Sequence, residues 1–209
     1  MKTFSAILLA AGESRRMGDV NKLALPVAGT PLLRRTAGLL LQLELLELIA
    51  VVGHEQDTAR AILQGLPVPI VFNPDYREGQ MTSVHCGLAA LQQPCDAVLV
   101  CLADQPLLEL EDLETLVSAF ADCSRSILVP TYRGERGNPI VLAYEHRQRI
   151  LAGERNLGCR RLIEKNPGLV ATVEMATDHV VFDLDTAEAY RQLQQRIGGS
   201  VEQGISNFG

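Results

Sequence analysis

"FSAILLAAGESRRMGDVNK" (Phe4–Lys22) is the stretch of sequence that decides the fold. Its first part, Phe4–Ala10, is apolar and has no helical polar face, which is typical of a strand covered on both faces of a parallel sheet. Small, basic and glycine-containing sequence follows at once, from Ala11 to Lys22. Because parallel sheets bind ligands beyond the carboxyl ends of their strands, this loop is a candidate binding loop. Taken alone, the stretch fits a basic surface turn equally well.

The sequence up to Pro130 alternates apolar runs with amphipathic stretches. The runs predict four more strands, at Leu48–Gly53, Pro69–Phe72, Ala97–Ala103 and Ser126–Pro130. The amphipathic stretches predict helices at Pro31–Leu46, Glu55–Leu63, Thr82–Gln92 and Leu107–Ala121. Thr30 and Pro31 have the residue types of a helix cap and a first helical position. Repeated strand–helix units imply a parallel sheet with right-handed crossovers.

The pattern changes after Pro130. "TYRGERGNPIVLA" (Thr131–Ala143) predicts a glycine-containing turn that leads into a hairpin strand. The remaining prediction comprises helices at Tyr144–Ala152 and about Leu157–Glu164, strands at 169–175 and 179–185, and a last helix at Thr186–Arg196. We predict one domain over residues 1–198 with a flexible tail at 199–209. The predicted fold class is α/β, a Rossmann-like three-layer fold whose mostly parallel central sheet gains antiparallel strands in the C-terminal half.

Composition argues against several classes of protein. The chain has 209 residues, a formal net charge of −6 and no long Lys/Arg block, which disfavours general nucleic-acid binding. Polar residues interrupt the leucine-rich run Leu39–Leu48, so it predicts no membrane span. The apolar stretch at the N-terminus is short and runs into arginines, which favours a buried strand over a signal peptide. Five cysteines without a C-x-x-C pair predict reduced thiols in a cytoplasmic protein.

The loop after the first strand lacks the two common nucleotide motifs. Neither G-x-G-x-x-G nor G-x-x-x-x-G-K-[ST] occurs there, which argues against a dinucleotide enzyme and a P-loop NTPase. A loop carrying Gly12 can still direct backbone N–H groups at phosphate oxygens. Arg15 and Lys22 can then neutralise a triphosphate.

Two aspartates have positions that suit a metal ion. Asp104 directly follows the predicted strand Ala97–Ala103, and Mg²⁺ typically combines one or two carboxylates with phosphate oxygens. A helix N-cap is the alternative role for Asp104. Asp183 and Asp185 alternate with apolar residues in "FDLDT", and Asp185 is either a second metal ligand or the cap of the last helix.

"NPDYREGQMTSVHCGL" (Asn73–Leu88) predicts a turn followed by a helix. Gly79 precedes this helix, and its first turn carries Thr82 and Ser83. A helix N-terminus with hydroxyl groups can hold a base, a ribose or a phosphate. A routine capped loop is the alternative. The scattered histidines and cysteines show no zinc spacing.

Five motifs in this order resemble the MobA-like nucleotidyltransferases and, among them, the molybdenum cofactor cytidylyltransferases of the MocA type. They are "LLAAGESRRMG…NKLALPVAGTPLL", "NPDYREGQMTSVHCGLAAL", "LADQP", "RGNPIVL" and "DLDT", and the resemblance covers Ile7 to about Arg196. It implies a fold like that of the nucleotide-diphospho-sugar transferases and an activity of the EC 2.7.7 class. The nucleotide-binding positions that it implies are Leu9, Ala10, Ala11, Gly12, Arg15, Lys22, Gly79 and Ser83.

The resemblance also implies a reaction. Mg²⁺ would bridge Asp104, Asp185 and the phosphates of CTP, while the terminal phosphate of molybdopterin attacks the α-phosphorus and pyrophosphate leaves. The catalytic residues would be Arg15, Lys22 and Asp104. The acceptor would lie against Gly137, Asn138, Asn156 and Arg160. A molybdoenzyme or its maturation chaperone is an implied partner.

Two details leave the substrates open. "GERNLGCR" (Gly153–Arg160) departs from the Gly-Asp-x-Gly-x-Arg segment of many relatives, which puts the acceptor in doubt. "LAAG" resembles the cytidylyl-type signature, whereas guanylyl-type relatives usually read "LAGG", and the methyl group of Ala11 would narrow the pocket against a purine. The alternatives are a GTP-dependent or other NTP transferase of this fold, an NAD(P)-dependent oxidoreductase, and a non-catalytic cofactor carrier.

Overall fold

The apolar runs of the sequence pair into one central sheet. The computed structural model describes residues 2–17, 20–152 and 166–205. The strands are β1 (Phe4–Ala10), β2 (Pro26–Val27), β3 (Thr30–Pro31), β4 (Leu45–Val52), β5 (Ile70–Phe72), β6 (Ala97–Leu102), β7 (Ile127–Tyr132), β8 (Glu135–Arg136), β9 (Ile140–Ala143) and β10 (Val170–Glu174). The α-helices are α1 (Leu32–Leu40), α2 (Gln56–Leu63), α3 (Gln80–Ala90), α4 (Leu110–Ala121), α5 (His146–Leu151) and α6 (Ala187–Ile205). Short 3₁₀ turns lie at Arg15–Met17, Lys22–Ala24, Tyr76–Glu78, Pro167–Leu169 and Asp178–Val180.

The central sheet has the strand order β10-β7-β9-β6-β1-β4-β5, and β8 pairs with β7 at one side. Strand β1 pairs in parallel with both β4 and β6, and the pairs β4–β5 and β7–β10 are also parallel. Strand β9 lies antiparallel between β6 and β7. The predicted α/β fold, mostly parallel with antiparallel strands in its C-terminal half, is confirmed.

Helices cover both faces of the sheet, which gives the molecule three layers. All seven residues of β1 are buried, and the six apolar side chains among them are divided between two clusters, one on each face of the sheet. Leu8 belongs to the cluster that contains residues of α1 and α4, whereas Ile7 belongs to the cluster that contains residues of α3 and α5. The continuous apolar run in the sequence is explained by this double coverage, since a strand with one solvent face would alternate apolar and polar residues.

Three predicted elements differ from the structure. The first helix ends at Leu40 and not at Leu46, because the chain turns there and enters β4 at Leu45. Thr30 does not cap this helix: it pairs in the β2–β3 hairpin, and the N-cap position is Pro31. The predicted strand at 179–185 is wrong, since this part of the chain contains the 3₁₀ turn Asp178–Val180 and irregular backbone.

The last part of the chain also differs in length from its prediction. Helix α6 continues past Arg196 to Ile205. The helix predicted at about 157–164 lies outside the described residues. Within the described ranges, no helix combines the length and the apolar character that crossing a membrane requires.

Residues 176–186, which we call the return segment, cross the carboxyl edge of the sheet. The carbonyl oxygen of Val180 accepts hydrogen bonds from the backbone N–H of Asn138 (2.9 Å) and from Nε2 of Gln105 (2.8 Å). The N–H of Leu184 donates to the carbonyl oxygen of Asp104 at 2.8 Å. A Cβ on Gly137 would lie 2.4 Å from the Val180 oxygen, so only glycine permits this approach. These bonds bring Asp183 and Asp185 to the end of β6.

Candidate active site

A cavity of about 480 Å³ opens at the carboxyl ends of β1 and β6. Strand β1 has β4 as its neighbour on one side and β6 on the other. The chain first adds β4 and β5 on one side of β1 and then adds β6 on the opposite side, so the cavity lies at the point where the strand order reverses. Open α/β sheets bind their ligands at such a point. The lining residues are Leu9, Ala10, Ala11, Gly12, Glu13, Ser14, Arg16, Lys22, Leu23, Tyr76, Gln80, Ser83, Leu102, Asp104, Asp183 and Asp185.

Lys22 lies between the two predicted metal-binding aspartates, Asp104 and Asp185. Its Nζ atom is 2.5 Å from Oδ2 of Asp104 and 2.7 Å from Oδ1 of Asp185, and the residue is 8% exposed. Arg16 contributes a second cation, with its guanidinium 2.5 Å from Oδ2 of Asp185. The loop after β1 and the return segment therefore meet at a compact cluster of opposite charges.

Neither aspartate caps a helix. Helix α4 begins at Leu110, with Glu109 at its N-cap, so Asp104 is too far upstream to cap it. At the last helix, the hydroxyl of Thr186 accepts the N–H of Ala189 at 3.1 Å, which is the bond a capping side chain makes. The side chain of Asp185 is thus available to the cavity.

The pKa of Lys22 is raised above its ordinary value. Burial by itself lowers the pKa of this amine, but the negative charges and hydrogen bonds of Asp104 and Asp185 outweigh that effect. Lys22 therefore remains an ammonium ion at neutral pH, which suits it to phosphate oxygens.

Asp183 is the titratable group that the sequence reasoning noticed but did not assign to the site. Burial raises its pKa to about 7, and the negative charges of Asp104 and Asp185 add to the effect. Its position was signalled by the alternation with Asp185, two residues later in the chain. The sequence alone showed no reason to place both carboxylates in one cavity.

The carboxylates fit a divalent cation that takes its other ligands from a substrate. The Oδ1 atoms of Asp104 and Asp183 are buried and have no hydrogen-bond partner among the described residues. Such orphaned oxygens are costly unless a cation or water satisfies them. Within the same part of the chain, no group of three or more His, Cys, Asp or Glu side chains is placed so that it could hold a metal ion by itself. Mg²⁺ prefers this kind of partial site, completed by phosphate oxygens and water.

Side-chain hydrogen bonds fold the loop between β1 and Lys22. Ser14 has a left-handed backbone (φ 52°), and its hydroxyl accepts the N–H of Lys22 at 3.3 Å. Asn21 accepts the N–H of Leu23 at 3.0 Å and donates to Glu55 at 2.5 Å. These contacts turn Lys22 inward.

Of the predicted nucleotide-binding residues in this loop, Leu9, Ala10, Ala11, Gly12 and Lys22 all line the cavity. The side chain of Arg15 lies outside the described part of the structure, and its role stays a prediction. The neighbouring Arg16 is the arginine that reaches Asp185.

Helix α3 forms the opposite wall of the cavity. Ser83 and Gln80 line it, whereas Gly79 is the N-cap residue of α3 (φ 116°) and is not among the lining residues. Tyr76 lines the same wall, close to Gly53, where a Cβ would lie 2.7 Å from Tyr76 Cβ and 2.9 Å from Ala11 Cβ. Glycine at position 53 therefore lets Tyr76 approach the first strand.

The predicted acceptor-binding residues are not part of this cavity. Gly137 and Asn138 lie against the return segment at Val180 and do not line the cavity. Asn156 and Arg160 lie outside the described residues. The assignment of these four positions to an acceptor stays a prediction.

Sequence comparison identifies relatives that match over most of both chains. The model of the MobA-like NTP transferase domain matches residues 6–172. A probable molybdenum cofactor guanylyltransferase from Natronomonas pharaonis is 29% identical over 198 residues, which cover 91% of this chain and 89% of that protein. The purine catabolism protein PucB of Bacillus subtilis is 29% identical over 202 residues, covering 90% and 95%. The nicotine blue oxidoreductase of Paenarthrobacter nicotinovorans is 28% identical over 197 residues, covering 90% and 95%.

Solved structures share the fold at lower identity. A nucleotidyl transferase from Methanothermobacter superposes with a TM-score of 0.80 at 20% identity, covering 95% of this chain and 99% of that one. A CMP:2-keto-3-deoxy-manno-octonic acid synthetase complexed with CTP gives 0.75 at 13% identity, covering 95% and 99%. A Mycobacterium tuberculosis protein in complex with manganese gives 0.71 at 22% identity, covering 91% and 97%. With the family model spanning the chain from β1 into β10, the protein belongs to the MobA-like NTP transferase family.

Proposed function

We propose that this family member transfers CMP from CTP to the terminal phosphate of a molybdopterin-type cofactor and releases pyrophosphate. The observation that carries the proposal is the position of Lys22, held as a buried ammonium ion between Asp104 and Asp185 at the switch point of the sheet. A cavity of about 480 Å³ there is large enough for most of a nucleoside triphosphate. The relative from Natronomonas pharaonis, named as a molybdenum cofactor guanylyltransferase, supports the acceptor class.

The reaction needs no covalent intermediate with the protein. An oxygen of the acceptor phosphate attacks the α-phosphorus of CTP, the bond to the β-phosphate oxygen breaks, and pyrophosphate carries the charge away. Lys22 and Arg16 neutralise the charge on the triphosphate and on the leaving group. Asp104 and Asp185 are the residues that would hold Mg²⁺, which supplies further neutralisation of the phosphate oxygens when it is bound.

The wall around Ala11 supports the choice of a pyrimidine. Ala11 is 6% exposed, and the close approach of Tyr76 to Gly53 brings an aromatic ring to the same side of the cavity. The Ala11 methyl group and the Tyr76 ring reduce the space for a base on this side of the cavity. A purine is larger than a pyrimidine and is therefore disfavoured on steric grounds, since closely packed sites tolerate extra volume poorly. The solved structure that holds CTP shares the fold and supports CTP as the nucleotide.

Pyrophosphate release tests the proposal. The protein is incubated with Mg²⁺, molybdopterin and each of the four NTPs in turn, with and without EDTA. We expect release with CTP, none without the acceptor, and none in EDTA. Turnover with GTP but not with CTP would instead favour the guanylyltransferase reading, which the name of the Natronomonas pharaonis relative supports.

An oxidoreductase is the second candidate, because one relative is named nicotine blue oxidoreductase. The loop after β1 lacks the glycine spacing of a dinucleotide site. Titration of NAD(P)H, followed by its fluorescence, decides this: tight binding would favour the oxidoreductase. A non-catalytic carrier would bind the finished cofactor and show no pyrophosphate release with any NTP.

A further inference from the structure

Asn73 is a buried polar side chain that supports the wall of the cavity without lining it. It follows β5 directly and is 2% exposed. Its Nδ2 atom donates to the hydroxyl of Thr82 at 2.8 Å and to the hydroxyl of Ser83 at 2.9 Å. One amide group therefore satisfies two consecutive hydroxyls in the first turn of α3.

The orientation of this amide is determined by its other end. Oδ1 of Asn73 accepts the backbone N–H of Asp75 at 3.0 Å, so the NH₂ group must face the two hydroxyls. Both amide hydrogens are then used as donors. Each hydroxyl receives a hydrogen bond from Asn73 and must direct its own hydrogen to another acceptor.

The two hydroxyls differ in where that hydrogen can go. The Thr82 oxygen lies 2.9 Å from the carbonyl oxygens of both Asp75 and Gly79, so its hydrogen stays within the loop. The Ser83 hydroxyl has no acceptor among the described residues, although it is buried (4% exposed) and Ser83 lines the cavity. The cavity is thus the place where the Ser83 hydrogen finds a partner.

We propose that Asn73 is a positioning residue that makes Ser83 an obligate hydrogen-bond donor to the nucleobase. The inference rests on the proposed function, since it needs a nucleotide in the cavity. A donor at this point matches a base edge that presents acceptors. Cytosine offers N3 and O2 on the edge where guanine offers the N1–H and N2–H₂ donors. Asn73 would therefore contribute to the choice of base without touching it.

Asn73→Asp tests this because it keeps the shape of the side chain and reverses its role. At about pH 8 the carboxylate accepts where the amide donated, and it takes the hydrogen of Ser83 away from the cavity. We expect the Kd for CTP, measured by calorimetry with Mg²⁺, and the KM for CTP to rise about tenfold while kcat changes little. Ser83→Ala should raise Kd by a similar factor.

A matched control and a double mutant separate positioning from damage to the loop. Thr82→Ala removes the other partner of Asn73 and should leave Kd within about twofold, because the Thr82 hydrogen does not reach the cavity. Adding Asn73→Asp to Ser83→Ala should not raise the Kd for CTP any further. The inference would be overturned if Asn73→Asp bound CTP with wild-type affinity. It would also be overturned if Asn73→Asp raised the Kd for CTP by the same factor in the Ser83→Ala background as in the wild type. Absence of CTP binding by the wild-type protein would instead overturn the proposed function.

Discussion

Replacing Asp183 by asparagine should make the metal-free protein more stable at alkaline pH and leave it almost unchanged at acid pH. Burial and two neighbouring aspartates raise the pKa of Asp183 to about 7 in the folded protein, from 3.8 in the unfolded chain. Between these values the folded state holds a proton that the unfolded state has lost. The free energy of unfolding therefore falls as pH rises through this range.

The size of the effect follows from the shift. About 3 pKa units at 1.36 kcal/mol each correspond to about 4 kcal/mol, which is the upper limit of the stability that ionised Asp183 removes above about pH 7. Asparagine has the same shape and cannot ionise. The variant should consequently gain up to this amount over the wild type at about pH 8.5 and almost nothing at about pH 2.5, where the wild-type carboxyl is neutral in both states.

Urea denaturation in EDTA at several pH values measures this difference. Asp178→Asn is the matched control, because it makes the same chemical change in the return segment at a carboxylate that is 33% exposed and pairs with Arg196. The control should show no comparable gain. A gap between Asp183→Asn and the wild type that stays constant from acid to alkaline pH would refute the reasoning.

Two further predictions concern the placement of charge in the site. Gly137→Ala puts a methyl group 2.4 Å from the Val180 oxygen, so it should displace the return segment, lower the melting temperature and abolish pyrophosphate release. Gly38→Ala is the control, because nothing lies within 4 Å of its added methyl group. It should keep the wild-type melting temperature, measured by calorimetry, and the wild-type rate of pyrophosphate release. Lys22→Gln should lower kcat/KM for CTP by about 100-fold or more, as expected for a lost preorganised cation, whereas the exposed variant Arg191→Gln should be unaffected. Full activity in Lys22→Gln would contradict the role of this lysine.

Local patterns predicted the elements whose side chains are buried by neighbouring layers. The run Phe4–Ala10 was correctly predicted as a doubly covered strand, because burial on both faces leaves the sequence without the regular polar positions of a half-exposed strand. The same reasoning failed at 179–185. Val180 and Leu184 are both fully buried, and Leu184 lies between two aspartates as in an alternating strand, but the backbone bonds of Val180 and Leu184 go to Asn138, Gln105 and Asp104. The alternation of apolar and polar residues indicates which side chains are buried, but it does not indicate the hydrogen-bond partners of the backbone.

The candidate site was predictable in its parts and not in its arrangement. Asp104 could be placed because a carboxylate directly after a central strand must lie at the sheet edge. Asp183 could not, since its surroundings are set by bonds between the return segment and Gln105, far away in the sequence. The contact between Arg16 and Asp185 also needed coordinates, because these residues lie 169 positions apart in the sequence.

The sequence by itself determined the strand–helix alternation that builds the parallel part of the sheet, the candidate binding loop at the end of β1, and the residues that resemble the MobA-like family. These features depend on local periodicity and on short motifs, which a linear sequence records. Tertiary structure alone decided that Lys22 lies between Asp104, 82 residues away, and Asp185, 163 residues away. The strength of such contacts depends on burial and on distances of a few ångströms, and both arise only when the return segment folds back across the sheet.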